Sequence, residues 1–153
     1  MIRRPPGSTL VPDTALFRSI GWGNGQPIAE YFIHSCFQLT GVDGSAAMLS
    51  RARAHFPAQR WLHHDMRQLQ MAETFDGLIA WDSFFHLTQA DQRAIFAIFD
   101  AHSHAGSALM FTSGTSNGTA MGTFGGEPLY HASLAPEEYR DILAGHGFSV
   151  LEV

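Results

Sequence analysis

Gly21-Trp22-Gly23-Asn24-Gly25, then Gly41-Val42-Asp43, then His64-Asp65-Met66, are the stretches whose reading decides the fold of this chain. The first is a glycine-rich loop. The second puts an acid at the end of the next strand-like run, and the third puts an acid at the end of the run after that. Glycines let the backbone approach a ligand closely and turn sharply into a helix. Asp43 can accept hydrogen bonds from two ribose hydroxyls, and Asp65 falls where an adenine edge would lie. In that order the three describe a parallel sheet that carries an adenosine-containing cofactor beyond the carboxyl ends of its strands.

Outward from these stretches the chain alternates strands and helices. Residues 15–20 read as a first strand, although Arg18 and Ser19 make it polar for a buried parallel strand. Pro27 suits the first turn of a helix whose apolar face is Ile28, Ala29, Phe32 and Ile33. A second strand covers 37–42, and Ser45 caps a helix with Met48, Ala52 and Phe56 on its apolar face. Residues 60–63 and 75–81 read as the third and fourth strands. Thr88 and Asp91 form a capping-box-like start to a helix that turns Ile95, Phe96 and Phe99 inward. A fifth strand covers 107–112, a mobile glycine-rich loop 114–126, a last helix 136–144 ending near Gly145 or Gly147, and a final strand 148–153. The pattern predicts an α/β fold with a doubly wound, mostly parallel sheet. Residues 1–13 read as a loose lead-in and 14–153 as a single domain.

Composition narrows the function. At 153 residues, 45 % hydrophobic and 15 % charged, the chain can bury one core. The net charge of −5, with no clustered arginines, argues against a nucleic-acid partner. No apolar run is long enough for a membrane span, and the first residues lack the apolar segment of a signal peptide, so the expected location is the cytoplasm. Cys36 is the only cysteine, which excludes an intrachain disulfide and a cysteine-rich zinc site. All nine basic residues are arginine, and the missing lysine excludes Schiff-base chemistry and a Walker loop. His63-His64 and His102-Ser103-His104 lack zinc-site spacing and read as solvated helix ends, so no metal is expected.

The residues from about Gly21 to Phe148 resemble the class I S-adenosylmethionine-dependent methyltransferases. The family's Gly-x-Gly-x-Gly pattern is similar to Gly21, Trp22, Gly23 and Gly25, and its ribose-binding acid to Asp43, followed by Gly44. The resemblance implies that Asp65 faces the adenine amino group and Met66 its ring. It also implies that Trp81 and Asp82, after the fourth strand, line the methionine end of the cofactor and the acceptor pocket. His146-Gly147-Phe148 resembles the family's lead into the sixth strand. Where the family has an acid two residues before the first glycine, this chain has Ser19. The family's final antiparallel strand is missing after Val153, and the N-terminal helices that usually cover the acceptor site are absent. The expectation is a shortened member whose sheet edge is open or is completed by a partner chain, as in a homodimer.

What the resemblance implies is transfer of a methyl group from S-adenosylmethionine to a small-molecule acceptor. His86 is the candidate general base, since it lies just past the fourth strand. Asp82 would orient it if the segment between them is helical. Tyr130 and His131, after the glycine-rich loop, are candidate acceptor contacts. Trp22, Trp81 and Phe84 would make a partly apolar pocket suited to a reaction that discharges a cation. Plainer readings stay open: Asp43 as a helix-capping acid ahead of Ser45, Asp65 as a solvated turn residue, and His86 as an ordinary half-buried histidine. Two other functions also stay open. One is a non-catalytic binding or assembly relic of the same fold. The other is a nicotinamide-dependent oxidoreductase, whose Gly-x-Gly-x-x-Gly pattern differs here because the third glycine comes one residue early.

Overall fold

The computed structural model describes residues 2–3, 16–20 and 28–151, with side chains from residue 28 onward. In chain order the elements are β1 (Ile2–Arg3), β2 (Leu16–Ile20), α1 (Ile28–His34), β3 (Gln38–Asp43), α2 (Ala46–His55), β4 (Arg60–His63), β5 (Phe75–Ala80), α3 (Gln89–Ala101), β6 (Ser103–Phe111), β7 (Gly118–Phe124), β8 (Glu127–Ser133), α4 (Pro136–Gly145) and β9 (Ser149–Val150). Seven strands form one sheet in the order β4-β3-β2-β5-β6-β1-β9. The pairs among β4, β3, β2, β5 and β6 are all parallel. The doubly wound α/β sheet read from the alternating pattern is present.

β2 is central despite Arg18 and Ser19. It pairs with β3 along Leu16–Ile20 and with β5 along Phe17–Ser19, so main-chain ladders on both sides hold it. No described strand follows β9. The antiparallel place between β6 and β9 is held instead by β1, with Ile2 opposite Leu109 on one side and Val150 on the other. A strand from within the lead-in segment therefore covers the side of β6 that was expected to be open or to need a partner chain, and β9 is the edge. The final strand is also shorter than 148–153, and β6 begins at Ser103 rather than Ser107. An irregular register in β6 explains the second difference. Ser107 Oγ donates to Phe75 O at 2.6 Å and accepts from His104 N at 2.9 Å, carrying the pairing across the break.

The largest departure is the glycine-rich stretch. It forms the first strand of a hairpin, β7–β8, turned at Gly125 (φ 59°) and Gly126 (φ 87°). Two consecutive glycines with positive φ make the two-residue turn whose twist suits antiparallel strands.

The core lies in two clusters. One packs β5, β6, α3 and α4 around Phe84, Phe96, Phe99, Leu109 and Leu143. The other packs α1 and α2 on Leu39 and Trp61. Leu39 and Val42 on β3 belong to different clusters, and alternation along the strand puts them on opposite faces of the sheet. Gly41 is required here: a Cβ would lie 2.2 Å from the Trp61 ring. Trp61 cannot retreat freely, since its Nε1 donates to Phe56 O at 3.0 Å.

Two helices end in the same motif with different residues. After α4, Gly147 adopts φ 74°, Gly147 N donates to Ala144 O, and Phe148 N donates to Leu143 O. After α1, Cys36 takes the equivalent left-handed place at φ 64°, with Cys36 N bonded to Ile33 O and Phe37 N to Phe32 O.

Candidate functional site

The carboxyl ends of the parallel strands gather the expected site residues on one edge of the sheet. From β2 the chain winds outward to β3 and β4, and from β5 to β6 on the other side, so the order reverses between β2 and β5. A crevice at such a reversal is where open α/β sheets hold ligands. Along that edge lie Asp65 after β4, Asp43 ending β3, Trp81 and Asp82 after β5, and Thr112 after β6. From β4 to β5 is three strand spacings, about 14 Å. Gly21, Trp22, Gly23 and Gly25, expected after β2, lie outside the described residues.

Asp43 is half-buried. Its Oδ1 accepts from Ser45 N at 2.7 Å, while Ser45 Oγ caps α2 by accepting from Met48 N at 3.4 Å. The helix-capping reading of Asp43 is thus met geometrically. His63, opposite Asp43 in register, donates from Nε2 to Gly44 O at 2.9 Å and steadies the turn. A Cβ on Gly44 would meet nothing within 4 Å.

Asp65 caps the single 3-10 turn Met66–Gln68. Arg67 grips its carboxylate from the backbone N (2.9 Å to Oδ1), Nε (3.0 Å to Oδ1) and Nη2 (2.6 Å to Oδ2). The Arg67 hydrogen bonds hold the Asp65 carboxyl below the usual carboxylate range, so it is an acceptor at neutral pH. Met66 packs against the main core from its partly buried position.

Past β5, Trp81 is partly exposed and Asp82 takes a left-handed conformation, φ 47°. Asp82 N donates to Thr112 Oγ1 at 2.8 Å, which pins the strained residue at the sheet edge. Phe84 does not line a pocket, because it is fully buried among Phe96, Phe111 and Tyr139. His86 ends the 3-10 turn Phe84–His86, and its Nδ1 lies 3.0 Å from Tyr130 O. The Tyr130 carbonyl, rather than Asp82, therefore orients it. A carbonyl can only accept, so Nδ1 carries the proton and the neutral ring keeps its lone pair on Nε2. His131 stacks on His86 with ring centroids 5.0 Å apart and planes 28° apart, and Phe85 meets both edge-on. The hairpin thus brings His86, Tyr130 and His131 together.

Several supporting residues escaped the sequence reading. Gln92 is fully buried, donating from Nε2 to Leu87 O (3.0 Å) and Ala132 O (2.8 Å) and accepting from Tyr139 Oη (2.6 Å). Its signal was present: 92, 95, 96 and 99 share one helical face, so a glutamine sits on an apolar stripe. Gly125-Gly126 was the sign of the hairpin. Arg67 and Thr112 had no sequence signal. Of the histidine pairs, His63 and His64 are exposed as expected, at the end of β4 rather than of a helix, whereas His102 is buried, with Nδ1 donating to Ile98 O and Nε2 accepting from Met71 N. Among the described residues no three metal-ligating side chains cluster, and no helix is long and apolar enough to cross a membrane.

Residues 19–106 match the family model described as a methyltransferase domain. No curated protein sequence matches the chain. Among solved structures, the amino pentose methyltransferase CalS10 of Micromonospora echinaspora, with S-adenosylmethionine bound, is 20 % identical with a TM-score of 0.72, covering 89 % of this chain and 76 % of that one. The glycopeptide N-methyltransferase MtfA, with S-adenosyl-L-homocysteine, is 14 % identical with a TM-score of 0.73 over 92 % of this chain and 75 % of its own. The sugar N-methyltransferase KedS8 from a Streptoalloteichus species is 16 % identical with a TM-score of 0.72 over 89 % and 72 %. The chain belongs to the class I S-adenosylmethionine-dependent methyltransferase family.

Proposed function

We propose that this protein methylates an amine or hydroxyl of a small molecule, using S-adenosylmethionine. The observation that carries the reading is His86, in the turn that follows β5, whose ring is fixed through Nδ1 by the Tyr130 carbonyl and whose Nε2 keeps its lone pair. S-adenosylmethionine, when bound, supplies an electrophilic sulfonium methyl. The residues on the sheet edge fit it: Asp43 accepts from the ribose hydroxyls, Asp65 from the adenine amino group, and Trp81 and Asp82 flank the methionine end. His86 Nε2 takes the proton that the acceptor must lose, and the Tyr130 carbonyl then stabilises the charged ring. Tyr130 and His131 contact the acceptor. The remaining work is alignment of donor and acceptor.

An amino sugar is the acceptor class to try first, because CalS10 and KedS8 are named for amino pentose and sugar N-methylation. We place the protein in the cytoplasm, where the exposed Cys36 remains a free thiol. The test is release of S-adenosylhomocysteine with a panel of amino sugars and amino glycosides, in wild type and His86→Gln. Loss of a general base should lower kcat about 100-fold, with S-adenosylhomocysteine affinity unchanged. Undiminished kcat in His86→Gln removes it as the base.

A further inference from the structure

We propose that Arg67 is a positioning residue for the cofactor's base, holding Asp65 so that the site selects a 6-amino purine over a 6-oxo one. The proposal rests on the reading of Asp65 as the group that faces adenine. Arg67 reaches Asp65 with three N–H donors: its backbone N lies 2.9 Å from Oδ1, the single hydrogen of Nε is shared between Oδ1 at 3.0 Å and Oδ2 at 3.1 Å, and Nη2 lies 2.6 Å from Oδ2. A carboxylate has about four acceptor positions, so one is left, and one N–H of an exocyclic amine suits it.

The fork also fixes the direction of that remaining position. A guanidinium binding both oxygens removes rotation about the carboxylate, which a single point charge would allow. Arg67 is itself anchored from a second element. Its Nη1 lies 3.5 Å from Asp91 Oδ2 at the start of α3, and Asp91 Oδ2 accepts from Thr88 Oγ1 at 2.9 Å. The adenine-facing turn is thereby tied to the helix that carries Gln92. The carboxyl proton is held off by the same hydrogen bonds. A 6-oxo group, which is an acceptor, would face an acceptor there.

The experiment is calorimetric titration of the purified chain with S-adenosylhomocysteine and with S-inosylhomocysteine, its 6-oxo counterpart. Wild type should prefer the first by at least about tenfold, the scale of a hydrogen bond to a charged group. Asp65→Ala should abolish the preference, and Arg67→Ala should reduce it to about threefold or less. Arg67→Lys, which keeps the charge without the fork, should fall between wild type and Arg67→Ala. A role limited to folding would weaken both ligands alike and leave their ratio unmoved. If Asp65→Ala abolishes the preference while Arg67→Ala keeps it, the positioning role of Arg67 is wrong. If Asp65→Ala keeps the preference, Asp65 does not face the base, and the reading beneath the proposal fails.

Discussion

Replacing Gln92 with leucine should loosen the hairpin from the body of the protein. The side chain is fully buried, and its bonds join α3, the Phe84–His86 turn, the end of β8 and α4. Gln92→Leu nearly conserves volume, so the cavity term is small and the loss is polar. It removes the donors to Leu87 O and Ala132 O and the acceptor for Tyr139 Oη. At about 1 kcal/mol net for each bond, the cost is about 3 kcal/mol. With a urea slope of about 2 kcal/mol/M, the unfolding midpoint should drop by about 1.5 M. Leu87 adjoins His86, and Ala132 adjoins His131, so the stacked pair loses its brace. Turnover should then fall more than S-adenosylhomocysteine affinity does. A midpoint shift under about 0.3 M would show that this buried network does not hold the hairpin. Gln89→Ala is the comparison, because its bonds to Ser133 O and Asn117 Oδ1 lie nearer the surface. Its cost should stay below about 1 kcal/mol.

Gly41→Ala should destabilise by about 1–3 kcal/mol, because the new Cβ overlaps a Trp61 ring anchored through Nε1; a neutral result in urea unfolding would mean that the ring moves freely. Cys36→Gly should stabilise by about 1 kcal/mol, by removing a side chain from a left-handed position that glycine tolerates; an unchanged or lower melting temperature contradicts this. Acid should act through Asp65. Its carboxyl is depressed in the folded protein by the Arg67 hydrogen bonds, so its contribution is present above about pH 4 and is lost as pH falls through the folded value. The stability gap between wild type and Asp65→Asn should therefore shrink from pH 6 to pH 3, and a constant gap in urea midpoints refutes the linkage.

The parallel framework was legible because its signals are local. A buried parallel strand is a short apolar run, so 75–80 emerged nearly to the residue, and Thr88 with Asp91 marked the start of α3 through a cap that the structure contains. Asp43, Asp65 and Asp82 could be placed at strand ends for the same reason. What was missed depends on distant partners. β1 is two residues long and has no pattern of its own; its place is set by main-chain pairing with β6 and β9. β7 is rich in glycine and threonine and mostly exposed, so it shows no alternation, and only Gly125-Gly126 marked the hairpin. The orientation of His86 depends on a main-chain carbonyl 44 positions away, which no side-chain pattern encodes. The same holds for the grip of Arg67 on Asp65, where the two residues are neighbours but the fork is a matter of geometry.

Calorimetric titration of the folded chain with S-adenosylhomocysteine, with NAD as the control, tests the central claim most directly. Micromolar binding of S-adenosylhomocysteine alone, weakened at least about tenfold by Asp43→Ala, is the result expected of a methyltransferase cofactor site on this sheet edge. Failure of a folded chain to bind S-adenosylhomocysteine would contradict the claim. Binding of neither ligand would leave a fold without the chemistry, with Ser19 in the place of the family's first acid as the first change to reverse, and binding of NAD alone would make it a nicotinamide site.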